Sequence, residues 1–496
     1  MRKIIALILC LVMCIPMFAA CGGDEPADTS ASSISPATTT GSSQGGVVTD
    51  PVEVSHDYEA VAKNDWGGYT FHVLTTGIGS EKNTGDFFCD SPNGDIRNDQ
   101  VYARNAMIEK DFNIIIEPDT GKRVGDVIQN QFVAGWTEGD YDLYGWSGRQ
   151  FLPLATTGCM ANLANYENLD IYNDHWDQEF VDMFTIYDSL YAISGNISVG
   201  VQTAVQVLCF NKTLFRETGR EEPYDLVRNK KWYVQSLLDL MEGFAQDKDK
   251  DGYDWDKDLY AITGWGSEAS HGLFTASGFT FVKNDGEKLV IDIDTEYLDE
   301  LTDALIDVWS QAGAYMDHSG SAERHHMPHQ VFSDGRGLFC DIITGKIAAF
   351  FSDMNDDYGI LPEPMLNDKQ KDYYSYVGAY TSIYGVSSLD QNPERTGNLM
   401  EAFCAANTDM VIPKMYEIVT KVQNARYNDS AEMLDIALKH KVFDPANWLK
   451  VEGISNYPVD MMEEGRNIMN QYLGLYLSPA KKSVQSFVDG IENLNK

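Results

Sequence analysis

The feature that most constrains this chain is an alternation of two hydrophobic periods between Tyr69 and Trp146. "YTFHVLTT" (Tyr69–Thr76) is rich in β-branched and aromatic residues and reads as a strand. "DQVYARNAMIEKDFNI" (Asp99–Ile114) places Val101, Ala106, Ile108 and Phe112 at helical spacing. "NIIIEP" predicts a second strand, "VGDVIQNQFVAG" an amphipathic helix and "YDLYGW" a third strand. Parallel strands need long crossovers, so this succession predicts an α/β architecture with a largely parallel sheet. The pattern returns later. "AVQVLCFN" (Ala204–Asn211), "YGILPEP" and "TSIYGVSS" read as strands. "TEYLDELTDALIDVWSQAGA" carries Leu298, Leu301, Leu305, Val308 and Trp309 on one helical face. "NPERTGNLMEAFCAAN" opens a helix with Asn392 as N-cap and Pro393 at the first helical position. The folded part begins near Trp66, and about 430 ordered residues exceed what one core holds, so two lobes are expected.

The N-terminus is not part of that fold. "MRKIIALILCLVMCIPMFAACGG" has a basic start, an apolar run shorter than a membrane span, and small residues before a cysteine. Residues 1–20 read as a secretory signal, and "FAAC" resembles a bacterial lipobox that would place a lipid on Cys21. An ordinary secretory signal with an incidental cysteine is the alternative. Residues 21–65 begin with Ser, Thr, Gly, Ala and Pro, a composition that buries no core and serves as a tether. These features predict a domain held at the outer face of the cell membrane by lipid alone.

The 496 residues carry a formal net charge of −38, and loss of Arg2 and Lys3 with the signal makes it more negative. Such a surface excludes a nucleic-acid partner and disfavours anionic lipid headgroups. Of eight cysteines, Cys10 and Cys14 fall in the signal and Cys21 is the expected lipid site. The remaining Cys89, Cys159, Cys209, Cys340 and Cys404 form no CxxC pair and read mostly as small buried residues.

Several segments then become recognisable together. "FVAGWTEGDYDLYGW" (Phe132–Trp146) runs a helix ending in Ala-Gly into Tyr-Asp-Leu at a strand. "LPLATTGCMANLANY" carries a Gly-x-x-x-x-Leu turn, "LYAISGNISVGVQTAVQVLCFNKTLFRETG" ends in Phe210-Asn211-Lys212, and "FSDGRGLFCDI" is a Phe-x-x-Gly-x-x-x-Phe strand entry. With "YGILPEPMLNDKQKDYYSYV" and "YTSIYGVSSLDQNPERTGNLMEAF", and in this order from about Trp66 to Phe403, they resemble the family 1 extracellular solute-binding proteins of ABC importers, the group that includes maltose-binding protein. The resemblance implies a two-lobed type II periplasmic-binding-protein fold, with hinge strands and an interlobe cleft that closes around a solute. It implies lobe one at 66–192 and 377–425, lobe two at 193–376 and 426–496, and hinges near Ala192–Gly195 and Tyr376–Tyr380. The partners it implies are a small solute, expected to be a saccharide, and the membrane subunits of an importer. A monomer is expected.

A sugar presents an apolar face to aromatic rings and a rim of hydroxyls to carboxylates and amides. Ligands of open α/β sheets sit at the carboxyl ends of strands. On those grounds Trp146 and Trp265 are stacking candidates, Trp146 being equally readable as a core residue. Glu81, Asn93, Asp95, Gln202 and Asp353 are candidate hydroxyl partners, and the family analogy adds Tyr380, Thr381 and Ser382.

"DKDKDGYDWDKD" resembles a calcium loop, with Asp247, Asp249 and Asp251 at positions one, three and five and Gly252 at the sharp turn. Asp247, Asp249, Asp251 and Asp258, with the Tyr253 carbonyl, are candidate ligands of a structural calcium ion, the only metal or cofactor suggested. A solvated acidic turn is the alternative. A strand, not a second helix, is expected after the loop, which argues against an EF-hand regulator. "ERHHMPH" offers His325 and His329 four apart, but Pro328 intervenes and a surface loop is the expectation. The folded part carries no GxSxG elbow, HExxH or P-loop, so an enzyme is not expected. A secreted glycan-active hydrolase and a cell-surface sensor or adhesion protein remain the competing classes.

Overall fold

The computed structural model describes residues 57–75, 85–89, 91–311, 313–317, 327–421 and 429–496. Cys21, the signal, the start of the tether, Glu81 and His325 lie outside them.

The first sheet is built from β1 (Tyr69–Thr75), β2 (Ile114–Asp119) and β3 (Leu143–Ser147), joined by helices α1 (Ile96–Phe112) and α2 (Val124–Ala134). Both crossovers are right for parallel pairing, and β1 lies parallel to β2 and to β3. In β2, Ile114 and Ile116 are buried while Ile115 is exposed, the alternation of an edge strand. The second sheet comprises β4 (Gln206–Asn211), β5 (Tyr260–Trp265), β6 (Ala314–Asp317), β7 (Gly337–Ile343) and β8 (Tyr358–Leu361). Its helices are α3 (Gly266–Ala276), α4 (Thr295–Trp309) and α5 (Thr344–Phe351). The order is β8-β4-β7-β5-β6, with β5 parallel to both β7 and β6 and the other neighbours antiparallel. Every residue of β4 is buried, as a strand covered on both faces requires.

The chain then returns. β9 (Ser382–Gly385) joins the first sheet antiparallel to β3, giving the order β9-β3-β1-β2. Helix α6 (Pro393–Ala406) follows, and the Asn392 side chain caps it by accepting from the Arg395 N–H at 3.1 Å. From Arg395 to Ala406 this helix is buried throughout.

Residues 426–496, expected to complete lobe two, divide their contacts. Ser375–Tyr376 pairs in parallel with Lys441–Val442. The last helix, α7 (Met469–Leu494), packs on Leu152–Thr157 of the first half and on Leu289–Ile291 and α4 of the second. The hairpin of Val282–Asn284 and Leu289–Ile291 also reaches across. The Asn284 amide donates to the carbonyls of Asp182, Met183 and Thr185 at 3.0, 3.1 and 2.8 Å. One apolar core is continuous through both sheets, from Phe71 and Phe403 to Phe339 and Leu305.

Candidate ligand site at the strand ends

In open sheets, the crevice for a ligand opens where neighbouring parallel strands send their connections to opposite sides. In the first sheet that point is the carboxyl end of β1 and β3. In the second it is the carboxyl end of β5 and β7. Trp146 stands at the first and Trp265 at the second, each followed at once by small residues that let the chain turn away from its strand.

Trp146 is half-buried. Its ring covers Gly125, where an added Cβ would come within 2.4 Å of it, and meets Phe151 edge-on at 6.4 Å. It therefore packs as part of the core wall while standing at the strand end. Beyond it, the Gly148 N–H donates to the Thr381 carbonyl at 2.9 Å and the Arg149 N–H to the Ala379 carbonyl at 2.8 Å. These bonds pin the return crossover against the end of β3. Tyr380 projects from that crossover, 60% exposed, with the Arg149 guanidinium 5.8 Å from its ring centroid. Thr381 and Ser382 are buried, and Thr381 Oγ1 has no hydrogen-bond partner. Beneath, the Trp448 ring lies so close to Gly148 that a Cβ there would meet it at 2.0 Å.

Trp265 is half-buried under the ammonium of Lys346, 4.7 Å from its ring. Lys346 is ion-paired with Glu268 at 2.8 and 3.0 Å. The two charges come from the first turns of α5 and α3, the helices that leave the ends of β7 and β5. Burial raises the Glu268 pKa above its usual range, and the Lys346 charge opposes that rise. Behind this pair, Asp341 and Glu363 are buried together, and the Gln206 amide donates to Asp341. Burial pushes the Asp341 carboxyl up to about 7 and Glu363 well above its ordinary value, so the two acids hold a proton near neutrality.

Tyr376 joins the two clusters. Its hydroxyl lies in the field of Glu268 and of Arg149, accepts the Ala379 N–H, and its ring stacks on His271 at 5.4 Å. His271 contacts the Ser267 carbonyl through Nδ1 at 2.8 Å and the Asn447 amide through Nε2 at 2.8 Å. Burial lowers its pKa, and the Arg149 charge adds to that, so the ring is neutral at pH 7.

Of the residues expected from sequence, Trp146, Trp265 and Tyr380 stand at these ends. Thr381 and Ser382 adjoin them but are covered. Gln202 is near the start of α5, where its carbonyl accepts from Thr344 Oγ1 at 2.9 Å, yet its amide is engaged by Asn196 at 2.8 Å. Asn93 and Asp95 do not join the site. They build the start of α1: Asp95 accepts from the Asn98 N–H at 2.8 Å, and Asp99 from the Asn93 N–H at 2.9 Å. The run "NGDIRND" carried that capping signal. Asp353 is exposed on the turn after α5, at the end away from the strand ends. Arg149, Lys346 and Glu268 were missed because single charged residues after a strand read as solvated surface; Tyr376 reads from sequence only as a hinge residue, and His271, inside a helix, carries no signal.

The acidic loop folds around Asp258, whose carboxylate accepts from the N–H groups of Lys248 and Asp254. Asp247 accepts from Lys250 and Gly252, which adopts φ +109°. One carboxylate oxygen each of Asp247, Asp249 and Asp258 lies within 4.8 Å of the others, whereas Asp251 stands outside that group. Lys257 Nζ is 3.3 Å from both Asp249 and Asp254 and competes for the same charge. Tyr253 packs its ring on Tyr260 at 5.5 Å. A strand follows, β5, as expected. The histidine motif is corrected: His329 is no surface residue but is buried in the helix Met327–Ser333 against Phe350. Among the described residues, Cys89, Cys159, Cys209, Cys340 and Cys404 form no disulfide; the last four are buried and Cys89 is half-buried.

No family model matches the chain, and no curated protein matches it by sequence. Solved structures do. The M. tuberculosis protein UspC aligns with a TM-score of 0.55 at 13% identity, over 84% of this chain and 100% of its own. A cyclo/maltodextrin-binding protein in complex with maltotetraose aligns with a TM-score of 0.54 at 14% identity, over 86% and 99%. The fold is the two-lobed periplasmic-binding-protein fold. An ABC substrate-binding protein of Listeria monocytogenes, in complex with cycloalternan, shares it with a TM-score of 0.50 at 15% identity, over 86% and 98%. The two Trp-bearing strand ends form one lip on each sheet, and Tyr376 lies in the segment by which the chain returns from the second sheet to the first.

Proposed function

We propose that this chain is the extracellular substrate-binding lipoprotein of an ABC importer, capturing a saccharide between its lobes and delivering it to a membrane permease. The observation that carries this reading is the pairing of a fold shared over nearly the whole length of several ABC substrate-binding proteins with aromatic and hydrogen-bonding residues at both switch points. Tyr380 and Trp265 supply the rings, and Arg149, Glu268 and Lys346 the polar rim. The signal and lipobox supply the outer location, with Cys21 carrying the lipid, and among the described residues no helix is long and apolar enough to cross a membrane.

Binding without turnover is the test. A saccharide of the right class raises the melting temperature of the purified chain and is recovered unchanged. If no saccharide in a broad panel does so, the sugar reading fails; if products appear, the hydrolase reading replaces it. Conversion of Cys21 to Ser should release the protein from cells.

The loop at Asp247, Asp249 and Asp258 supports a structural calcium ion, stapling the segment ahead of β5 and so the base of Trp265. If titration calorimetry detects no calcium binding, the calcium reading fails, and the ion pairs of Lys257 with Asp249 and Asp254 are what offsets the loop's charge.

A further inference from the structure

Among the described residues, Arg149 is a strand-end charge with no acid paired to it. Its backbone is fixed by Ala379 and its guanidinium lies over Tyr380. Among the described residues, its side chain has no hydrogen bond or ion pair to an acid, and Nε is buried with no partner at all. The contrast with Lys346, closed by Glu268 a few residues from the other tryptophan, is direct. His271, whose protonation the Arg149 charge opposes, is held neutral by burial and adds no second cation beside it. Thr381 Oγ1, buried and likewise without a partner, is the next polar atom along the crossover beside it.

The chain as a whole bears a charge of −38, so its long-range field repels anions. An anion is retained on such a protein only by a local cation not already paired. A guanidinium offers a planar fork of donors that matches an oxyanion in two parallel hydrogen bonds. Leaving that fork partly desolvated and unpaired is unfavourable, unless a ligand completes it.

Deepening the saccharide reading above, on which it rests, we infer that the ligand is an anionic saccharide whose oxyanion pairs with Arg149 while a sugar ring lies on Tyr380. A uronic acid carboxylate and a sulfate ester both present that oxyanion, and the experiment separates them.

The full mature chain is assayed by calorimetry against oligogalacturonides, glucuronic-acid-capped xylo-oligosaccharides, the carboxyl-reduced form of each, a sulfated galacto-oligosaccharide and neutral malto-oligosaccharides. The expected result is binding of an acidic series and at least a tenfold loss on carboxyl reduction. Arg149→Gln should weaken that binding about tenfold to a hundredfold, and Arg149→Lys should fall between, since it keeps charge but loses the fork. Binding of the sulfated series alone, with the same dependence on Arg149, supports the inference and names sulfate as the anion. Tight binding of neutral oligosaccharides that ignores Arg149→Gln overturns the inference and leaves the importer reading standing. No binding by any series overturns both. The carboxyl-reduced ligands need no variant, so a misfolded substitution cannot obscure the outcome.

Discussion

The two lips of this protein begin alike and end differently. Both place a tryptophan at the carboxyl end of a parallel strand, at a switch point, before small residues. On the β5 side, the cation over the ring is closed by its own carboxylate, and a second pair of acids lies buried behind it. On the β3 side, the cation is open, and what lies behind is apolar: Trp448 wedged on Gly148 and ringed by Phe180, Phe184 and Phe443. The difference teaches that one lip is electrostatically complete as a folded unit, while the other leaves its cation without an acid partner.

That contrast can be broken at its apolar floor. Trp448 is fully buried, with its indole N–H on the Val377 carbonyl at 3.3 Å, and Trp448→Ala should lose about 3–5 kcal/mol in denaturant unfolding. It should also loosen Gly148 and weaken ligand capture. Breaking the closed pair comes next. Lys346→Met leaves Glu268 in a mostly covered position without its counter-charge, and about 2–3 kcal/mol of stability should go. Arg149→Met, by contrast, should change stability within about 0.5 kcal/mol, because no intramolecular pair is lost. If both substitutions cost the same, the distinction between the lips fails.

The buried acids sharpen it through pH. Folding raises the pKa of Asp341 and of Glu363, so the native state holds protons that the unfolded chain has released. Their contribution is present in full below the ordinary carboxylate range and is lost as pH climbs towards and past about 7. The melting temperature should fall over that window, and Asp341→Asn should flatten the fall. The smallest effect concerns thiols. Burial raises the pKa of Cys159, Cys209, Cys340 and Cys404. In a mature chain, a thiol reagent should therefore modify Cys89 first, and the other four only on unfolding.

The elements that were legible in the sequence are those whose side-chain period and flanking chemistry agree. β1 to β3, β4, α4 and the Asn392 cap fall where Val, Ile, Leu and a capping amide require them. The two sheets followed from length and alternation. What escaped was long-range. The pairing of Glu268 with Lys346 joins residues on separate helices that only the β7-β5 register brings together. Asn93 and Asp95 looked free because their partners, Asp99 and Asn98, are local backbone and side chains that a search for sugar ligands passes over. His329 looked exposed because Pro328 just before it suggested a loop, whereas Pro328 stands at the start of the helix Met327–Ser333 and His329 packs on Phe350.

The hairpin at Val282–Ile291 and the helix α7 have a thermodynamic consequence. Two sheets joined only by crossover strands would melt as two calorimetric units. Here Asn284 holds three carbonyls of the opposite half, and α7 packs on both, over a core without a break. The heat-capacity trace should therefore show one peak, with equal van't Hoff and calorimetric enthalpies, for a molecule that looks like two.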